Sequence, residues 1–264
     1  MPAVTTAEDF YFERRSGGTF VATELTSGAW NPAEQHVAPS LGLLAHEVER
    51  DLGERRDDHL RLTRVSFDIL GTYPVGEVDV GVRVARPGRT IELVEATLSA
   101  NGRAVVVLRA WLQATYDSAA ITGGGDAPFP DRAGLGPGSL GIEWAGRFVK
   151  SVDVAQEPMG PGRGRSWVRA RARLVKGEES SPTARLIGVL DVANGLTPRV
   201  GMDVAAYPNL DLVAHLYREP EDGWTGLDTT VSFAADGVGL TRSVVHDDAG
   251  LVGTCAQILT VRPR

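Results

Sequence analysis

One pattern is written twice along this chain of 264 residues, and it restricts the fold more than any other feature. Each half offers a helix followed by a meander of strands that ends in a long apolar strand. The first half closes on the stretch from Gly102 to Leu112 and the second on the stretch from Gly250 to Leu259. With Gly250 set on Gly102, Gln257 stands opposite Arg109. A duplicated unit of this size means two pseudo-symmetric modules rather than a solenoid of short repeats. Divergence confined to a few polar positions implies that one copy kept a reactive site and the other became scaffold.

The helix of the first half opens at Pro39, a residue suited to a first helical turn, and runs to Arg50 with Gly53 as its stop. Leu41, Leu44, Ala45 and Val48 share one face at helical spacing. Strands are expected from Leu60 to Leu70, Gly76 to Arg86, Thr90 to Ala100 and Arg103 to Thr115. The second of these alternates cleanly, with Val78, Val80, Val82 and Val84 set between polar neighbours. Pro87-Gly88 and Asn101-Gly102 make tight turns, so the strands pair antiparallel. The stretch from Asp117 to Leu140 is rich in Gly, Pro, Ala and Asp and reads as a linker.

The second half begins with strand-like residues from Glu143 to Val152 and a Gly/Pro loop from Glu157 to Gly164. A strand from Ser166 to Val175 follows, with Arg169, Arg171 and Arg173 on its solvated face. Ser181 caps a helix that has Pro182 at its first position and Asn194-Gly195 as its stop. Strands resume from Leu210 to Arg218, Trp224 to Ala234, Gly239 to Val245 and Leu251 to Arg262. A helix this apolar is buried only if a curved sheet wraps it. The expected fold is therefore α+β, a double hotdog of two antiparallel sheets, each around a long central helix. Its modules are 1–116 and 141–264, with 117–140 between them.

Composition narrows function by exclusion. A net charge of −7 argues against a nucleic-acid binder. No apolar run is long enough to cross a bilayer, and the first residues lack a basic region followed by an apolar core, so a cytoplasmic location is expected. The single cysteine, Cys255, excludes an internal disulfide and sits in an apolar strand as a small packed residue. No Gly-x-Ser-x-Gly elbow supports a serine nucleophile. Asp57-Asp58 and Asp247-Asp248 read as turns without partners at metal-ligand spacing.

Three polar residues of the second half stand out. Asp191 falls within the apolar helix, Gln257 within the apolar closing strand, and Asn209 in Tyr207-Pro208-Asn209-Leu210. With Gly42 set on Gly188, Ala45 takes the place of Asp191 in the first half. Each residue also has a plain structural reading. Asp191 would end the helix and cap a turn with Asn194, Gln257 would lie on an exposed edge strand, and Asn209 would serve the turn after Pro208. His36 would make local hydrogen bonds before the first helix.

On these residues the chain resembles the acyl-CoA thioesterase II type of double hotdog protein. That family places an aspartate on its second central helix, a hydroxyl residue at the following strand and a glutamine in its last strand. Asp191 and Gln257 match the first and third, and Asn209 falls nearest the second, where the family has Thr or Ser. The stretch from Trp30 to His36 leading into Pro39 resembles the actinobacterial thioesterase-like branch, with His36-Val37-Ala38-Pro39 in place of its His-Gly-Gly-Pro. Asn31-Pro32 followed by His36 does not fit the hotdog hydratase element, because the histidine stands two residues too far along.

The resemblance implies hydrolysis of acyl-CoA by a water that Asp191, Asn209 and Gln257 position. It further implies two sheets joined edge to edge, His36 as a substrate contact, no cofactor or metal, and assembly into a homodimer. The chemistry is coherent with those residue types, since a carboxylate in apolar surroundings becomes a better base and side-chain amides orient a water. The competing expectation is a double hotdog that binds acyl-CoA or an acyl chain without cleaving it. Arg109, the awkward cation of the first half, is expected to reach solvent or an ion pair.

Overall fold

The computed structural model describes residues 9–124, 128–138 and 145–264. Parts of the expected linker (125–127 and 139–140) and the start of the strand expected from Glu143 lie outside the described residues, and the rest of that stretch contains a short helix at 147–150 rather than a strand. In chain order the first half comprises β1 (Phe10–Arg14), β2 (Thr19–Ala22), α1 (Val37–Arg55), β3 (Leu60–Ile69), β4 (Glu77–Arg86), β5 (Ile91–Ala100) and β6 (Arg103–Ala114). Then come β7 (Gly136–Pro137), α2 (Arg147–Lys150), β8 (Val152–Pro158), β9 (Arg163–Ala170), β10 (Arg173–Val175), α3 (Pro182–Leu190) and α4 (Ala193–Leu196). The chain ends with β11 (Ala205–Ala206), β12 (Asp211–Leu216), β13 (Thr225–Phe233), β14 (Val238–Asp247), β15 (Gly250–Thr260) and β16 (Arg262–Pro263).

The two expected sheets are joined edge to edge into one. One 14-stranded sheet runs β10-β1-β2-β4-β5-β6-β3-β12-β15-β14-β13-β9-β8-β7, and β11 and β16 form a separate two-stranded ribbon. The halves join where β3 and β12, the first long strands after α1 and α3, pair antiparallel with Val213 opposite Ser66. Joining satisfies two edges that would otherwise expose unpaired backbone. The strand expected from Ser166 to Val175 also breaks at Arg171-Ala172. Its last part becomes β10, which crosses to the first half and pairs parallel with β1. Two residues thus tie one end of the sheet to strands near the other, and the sheet curls around the helices.

Inside that curl α1 and α3 lie side by side and antiparallel, with Gly42 against Gly188 and Ala184, and Gly188 near Ala38. A Cβ on Gly42 would sit 3.0 Å from Gly188 Cα and 3.0 Å from the Ala184 carbonyl oxygen, so glycine is what lets the backbones approach. Leu41, Leu44, Ala45 and Val48 are fully buried, and so are Leu43 and Ser40 on other sides of α1. The buried polar residues His46 and Glu47 are answered from outside the helix. Arg14 reaches Glu47 at 2.5 Å and Glu178 at 2.6 Å, and His46 Nε2 meets Glu178 at 3.0 Å.

Helix limits differ from the expectation in three places, the first being that α1 opens at Val37, two residues before Pro39. α1 runs through Gly53 to Arg55, because Arg56 N–H still bonds to Leu52 O. α3 ends at Leu190, which makes Asp191 its C-cap rather than a mid-helix residue. Among the described residues no helix is long and apolar enough to cross a membrane.

Residues 117–124 are exposed, whereas Phe129 and Pro130 dock on the second half. Phe129 meets Trp167 edge-on and stacks on His246, and Trp167 Nε1 donates to Pro130 O at 2.8 Å. Limited proteolysis is expected to cut first within 117–124. A first cut inside α1 or α3, identified by mass spectrometry, would contradict that placement.

Candidate active site

The site forms where the N-terminus of α1 meets the C-terminus of α3. Asp191 is 5% exposed. Its Oδ1 accepts two amide hydrogen bonds, from Asn209 Nδ2 at 2.7 Å and from Gln257 Nε2 at 2.8 Å. Its Oδ2 lies 3.6 Å from His36 Nδ1. The four residues singled out in the sequence therefore meet at one carboxylate.

Each is held by its own element. Gln257 is 1% exposed and shares the inner face of β15 with Cys255 and Leu259. That strand lies between β12 and β14, which removes the edge-strand reading. Asn209 precedes β12, bridged to Leu259, and its Nδ2 also donates to Asp211 O at 3.1 Å. His36 is the N-cap of α1. Its Nδ1 accepts from Ala38 N–H at 3.2 Å, and its ring tilts against Phe148 at 4.5 Å. The loop before it is strapped by Gln35 N–H to Tyr73 O and by Val75 N–H to Ala33 O.

Burial sets the protonation states. Desolvation raises the Asp191 carboxyl from 3.8 to about 7, against the lowering effect of the hydrogen bonds from Asn209 and Gln257. The C-terminal end of α3 acts in the same direction, since a helix terminus of negative potential disfavours a carboxylate. Desolvation lowers His36 to about 3, and its position at the positive end of α1 agrees. His36 is thus neutral near pH 7 with its proton on Nε2, because Nδ1 accepts from Ala38. The 3.6 Å approach to Asp191 is a contact with a neutral ring and not an ion pair.

A cavity of about 370 Å³ opens on Asp191, Asn209 and His36. Trp30, Val37, Ile69, Val149, Val192 and Leu210, drawn from both halves, supply most of its apolar wall. Two wall residues were not singled out in the sequence. Tyr73 is 3% exposed, faces Ser40 and feels the charge of Asp191, and burial pushes its hydroxyl well above the usual range. Gln35 donates to Pro74 O, while its Oε1 is buried without a hydrogen-bond partner among the described residues. Both lie in strapped loops without periodicity, so no sequence signal marks them.

The opposite end of the helix pair departs from expectation. Ala45 is apolar and buried as read, but Glu49, one turn further, reaches the N-cap of α3. Ser181 Oγ accepts from Ala184 N–H at 3.0 Å and bonds to Glu49 Oε2 at 2.5 Å. Burial lifts Glu49 to about 7. Each end of the helix pair therefore sets an N-cap residue beside a carboxylate from the partner helix, and the halves are less asymmetric than their sequences imply. Arg109 is exposed and pairs with Glu95 at 3.1 Å. One cluster resembles a metal site, with the ligand-type atoms of His46, Glu47 and Glu178 within 4.8 Å of one another. The guanidinium of Arg14 already engages both carboxylates.

Comparison with known proteins agrees with this architecture. Residues 26–113 match the model of an acyl-CoA thioesterase N-terminal domain, and residues 124–261 match that of an acyl-CoA thioesterase C-terminal domain. A hot dog fold protein of unknown function from Alicyclobacillus acidocaldarius superposes with a TM-score of 0.74 at 13% identity, covering 98% of this chain and 99% of its own. An acyl-CoA thioesterase II, TesB2, from Mycobacterium marinum superposes at 0.66 with 16% identity, over 96% of each chain. A tesB protein from Mycobacterium avium subspecies paratuberculosis gives 0.65 with 17% identity, also over 96% of each. At these identities the likeness is one of fold. No curated protein sequence matches the chain.

Proposed function

Since the chain belongs to the acyl-CoA thioesterase family, we propose that this cavity hydrolyses acyl-CoA thioesters to the free acid and CoA. One observation carries the reading: Asp191 is buried, held through Oδ1 by two amide donors, and open to the cavity. Water is the nucleophile. Asp191 Oδ2 takes a proton from it as its oxygen bonds to the thioester carbonyl carbon, while Asn209 and Gln257 fix the carboxylate from the other side. The positive end of the α1 dipole, at Val37 on the cavity wall, favours the negative charge of the developing oxyanion. The C–S bond then breaks, and the proton on Asp191 passes to the departing thiolate. Neutral His36 contacts the substrate from the cavity wall.

Release of free thiol from acyl-CoAs of graded length tests this directly. Asn209→Ala removes one of the two donors on Asp191 Oδ1 and is expected to lower kcat about 10- to 100-fold, the value of one hydrogen bond to a charged group. Unchanged turnover would take Asn209 out of the mechanism.

A second reading, binding of acyl-CoA without cleavage, is favoured by one detail. Asn209 directs its amide to Asp191 and to Asp211 O, and it brings no hydroxyl to hold a water. Tight acyl-CoA binding by the wild-type protein with no thiol release at any chain length would select it.

A further inference from the structure

The proposed substrate carries several negative charges at its phosphates, whereas the chain has a net charge of −7. The whole-protein field therefore opposes docking, and attraction must come from local cations that no carboxylate neutralises. Many of the arginines are neutralised. Arg169 and Arg171 share Asp153, Arg55 and Arg56 share Glu92, and Arg163 and Arg165 share Asp228.

Two exposed arginines beside the cavity are different. Arg262 lines it directly, on β16, which is fixed to β11 by the pairing of Arg262 with Ala206. Arg103 follows the tight turn at Asn101-Gly102, where φ is 53° and 72°. Its Nη2 donates to the carbonyl of Thr72 at 3.4 Å and lies beside Gly71, and both of those residues line the cavity. Neither arginine has a carboxylate within 4.0 Å among the described residues. The one other acid on the lining, Glu34, is hydrogen-bonded by Thr72 Oγ1 at 2.9 Å. The two cations come from opposite halves and border the same, otherwise largely apolar cavity, so a ligand whose thioester lies at Asp191 has both beside it for its phosphates.

We propose that Arg103 and Arg262 form a phosphate-recognising rim, so that the cavity selects thioesters carried on a phosphorylated pantetheine over thioesters without phosphate. The proposal rests on the thioester-hydrolysis reading for its kinetic test alone, because CoA binding can be measured without turnover. Guanidinium groups suit the task, with planar donors matched to phosphate oxygens and a charge that does not titrate.

The test uses full-length protein, the double variant Arg103→Ser/Arg262→Ser, and Arg242→Ser as a control that removes an exposed arginine from the outer face of β14. Thiol release is compared for acyl-CoA, for the same acyl group on unphosphorylated pantetheine, and for the same group on an acyl carrier protein. The expected result is a fall of about tenfold or more in the kcat/KM ratio of acyl-CoA to acyl-pantetheine in the double variant, with no such fall in the control. A flatter dependence of KM on salt should accompany it. A larger fall for the carrier-protein substrate would place the recognised phosphate on that carrier. Titration calorimetry with CoA separates the two claims. Weaker CoA binding by the double variant in a protein that cleaves no thioester would sink hydrolysis and leave the rim standing. Equal CoA binding by both proteins, or an unchanged kcat/KM ratio, would overturn the rim. Melting temperatures of the variants should stay near wild type, since both side chains are exposed.

Discussion

Asp191→Asn is expected to abolish most thioester hydrolysis while making the protein more stable at pH 8. The loss in kcat should be on the order of a thousandfold, because the amide cannot accept the proton that a positioned base takes from water. The gain in stability comes from the same burial that tunes the base. In the folded chain the carboxyl titrates at about 7, against 3.8 without burial, so between those values the folded state holds a proton that the unfolded state has released. A folded pKa raised above the unfolded one means that stability from this group falls as pH rises from about 4 to 7 and stays low above. At roughly 1.4 kcal/mol per unit, the penalty removed at pH 8 has an upper bound of about 4 kcal/mol. Asn keeps the size of the side chain and an oxygen for the Asn209 and Gln257 donors, so the shape of the site is preserved. Melting curves at pH 8 and pH 4 decide the matter: the variant should lead clearly at the first and little at the second. An equal advantage at both values would mean that burial of charge is not its source. In wild type, kcat/KM should rise as pH passes through about 7, where the base ionises.

The largest effect on folding is expected at Gly42. A Cβ there already presses at 3.0 Å on backbone atoms of α3, which cannot rotate aside. Gly42→Val adds two further methyl groups and should destabilise the protein by about 3 kcal/mol, the upper part of the usual range for overpacking. Urea denaturation measures it through the midpoint. Gly53 offers the internal comparison. It lies on the exposed side of the same helix with nothing within 4 Å of a Cβ, so Gly53→Ala should stabilise by up to about 1 kcal/mol. If Gly42→Val unfolds no more easily than wild type, the helices are not held at glycine-to-glycine distance.

The sequence made some of this legible, for identifiable reasons. Helices and long strands announced themselves by period, and the site residues by being polar in apolar company. Register was harder. Setting Gly250 on Gly102 placed Gln257 opposite Arg109, yet Gln257 faces inward and Arg109 outward. Matching the burial patterns of β6 and β15 puts Ala110 opposite Gln257 instead, because a shift of one residue in a strand exchanges its two faces. The β1–β2 hairpin carries little local signal, because its stretch, from Phe10 to Ala22, is short and precedes the first helix. The resemblance implies that the two sheets join edge to edge, but not that β3 and β12 form the seam, because those strands are far apart in the chain and have no local signature. Glu49 looked like one more acid on a helix, and only the antiparallel neighbour gives it Ser181.

The crossing of β10 to β1 has a consequence for how the chain matures as it is made. When the first half has left the ribosome, α1 has no α3 to lie against, β3 has no β12, and β1 keeps one open edge. The charged group of Arg14 and Glu47 is also incomplete until Glu178 arrives. Long-range pairings of this kind form slowly, because the intervening chain must be ordered first. The first half therefore lacks those partners until more than two hundred residues have been translated. Mutations that delay closure should reduce soluble yield in cells before they lower the melting temperature of the finished protein.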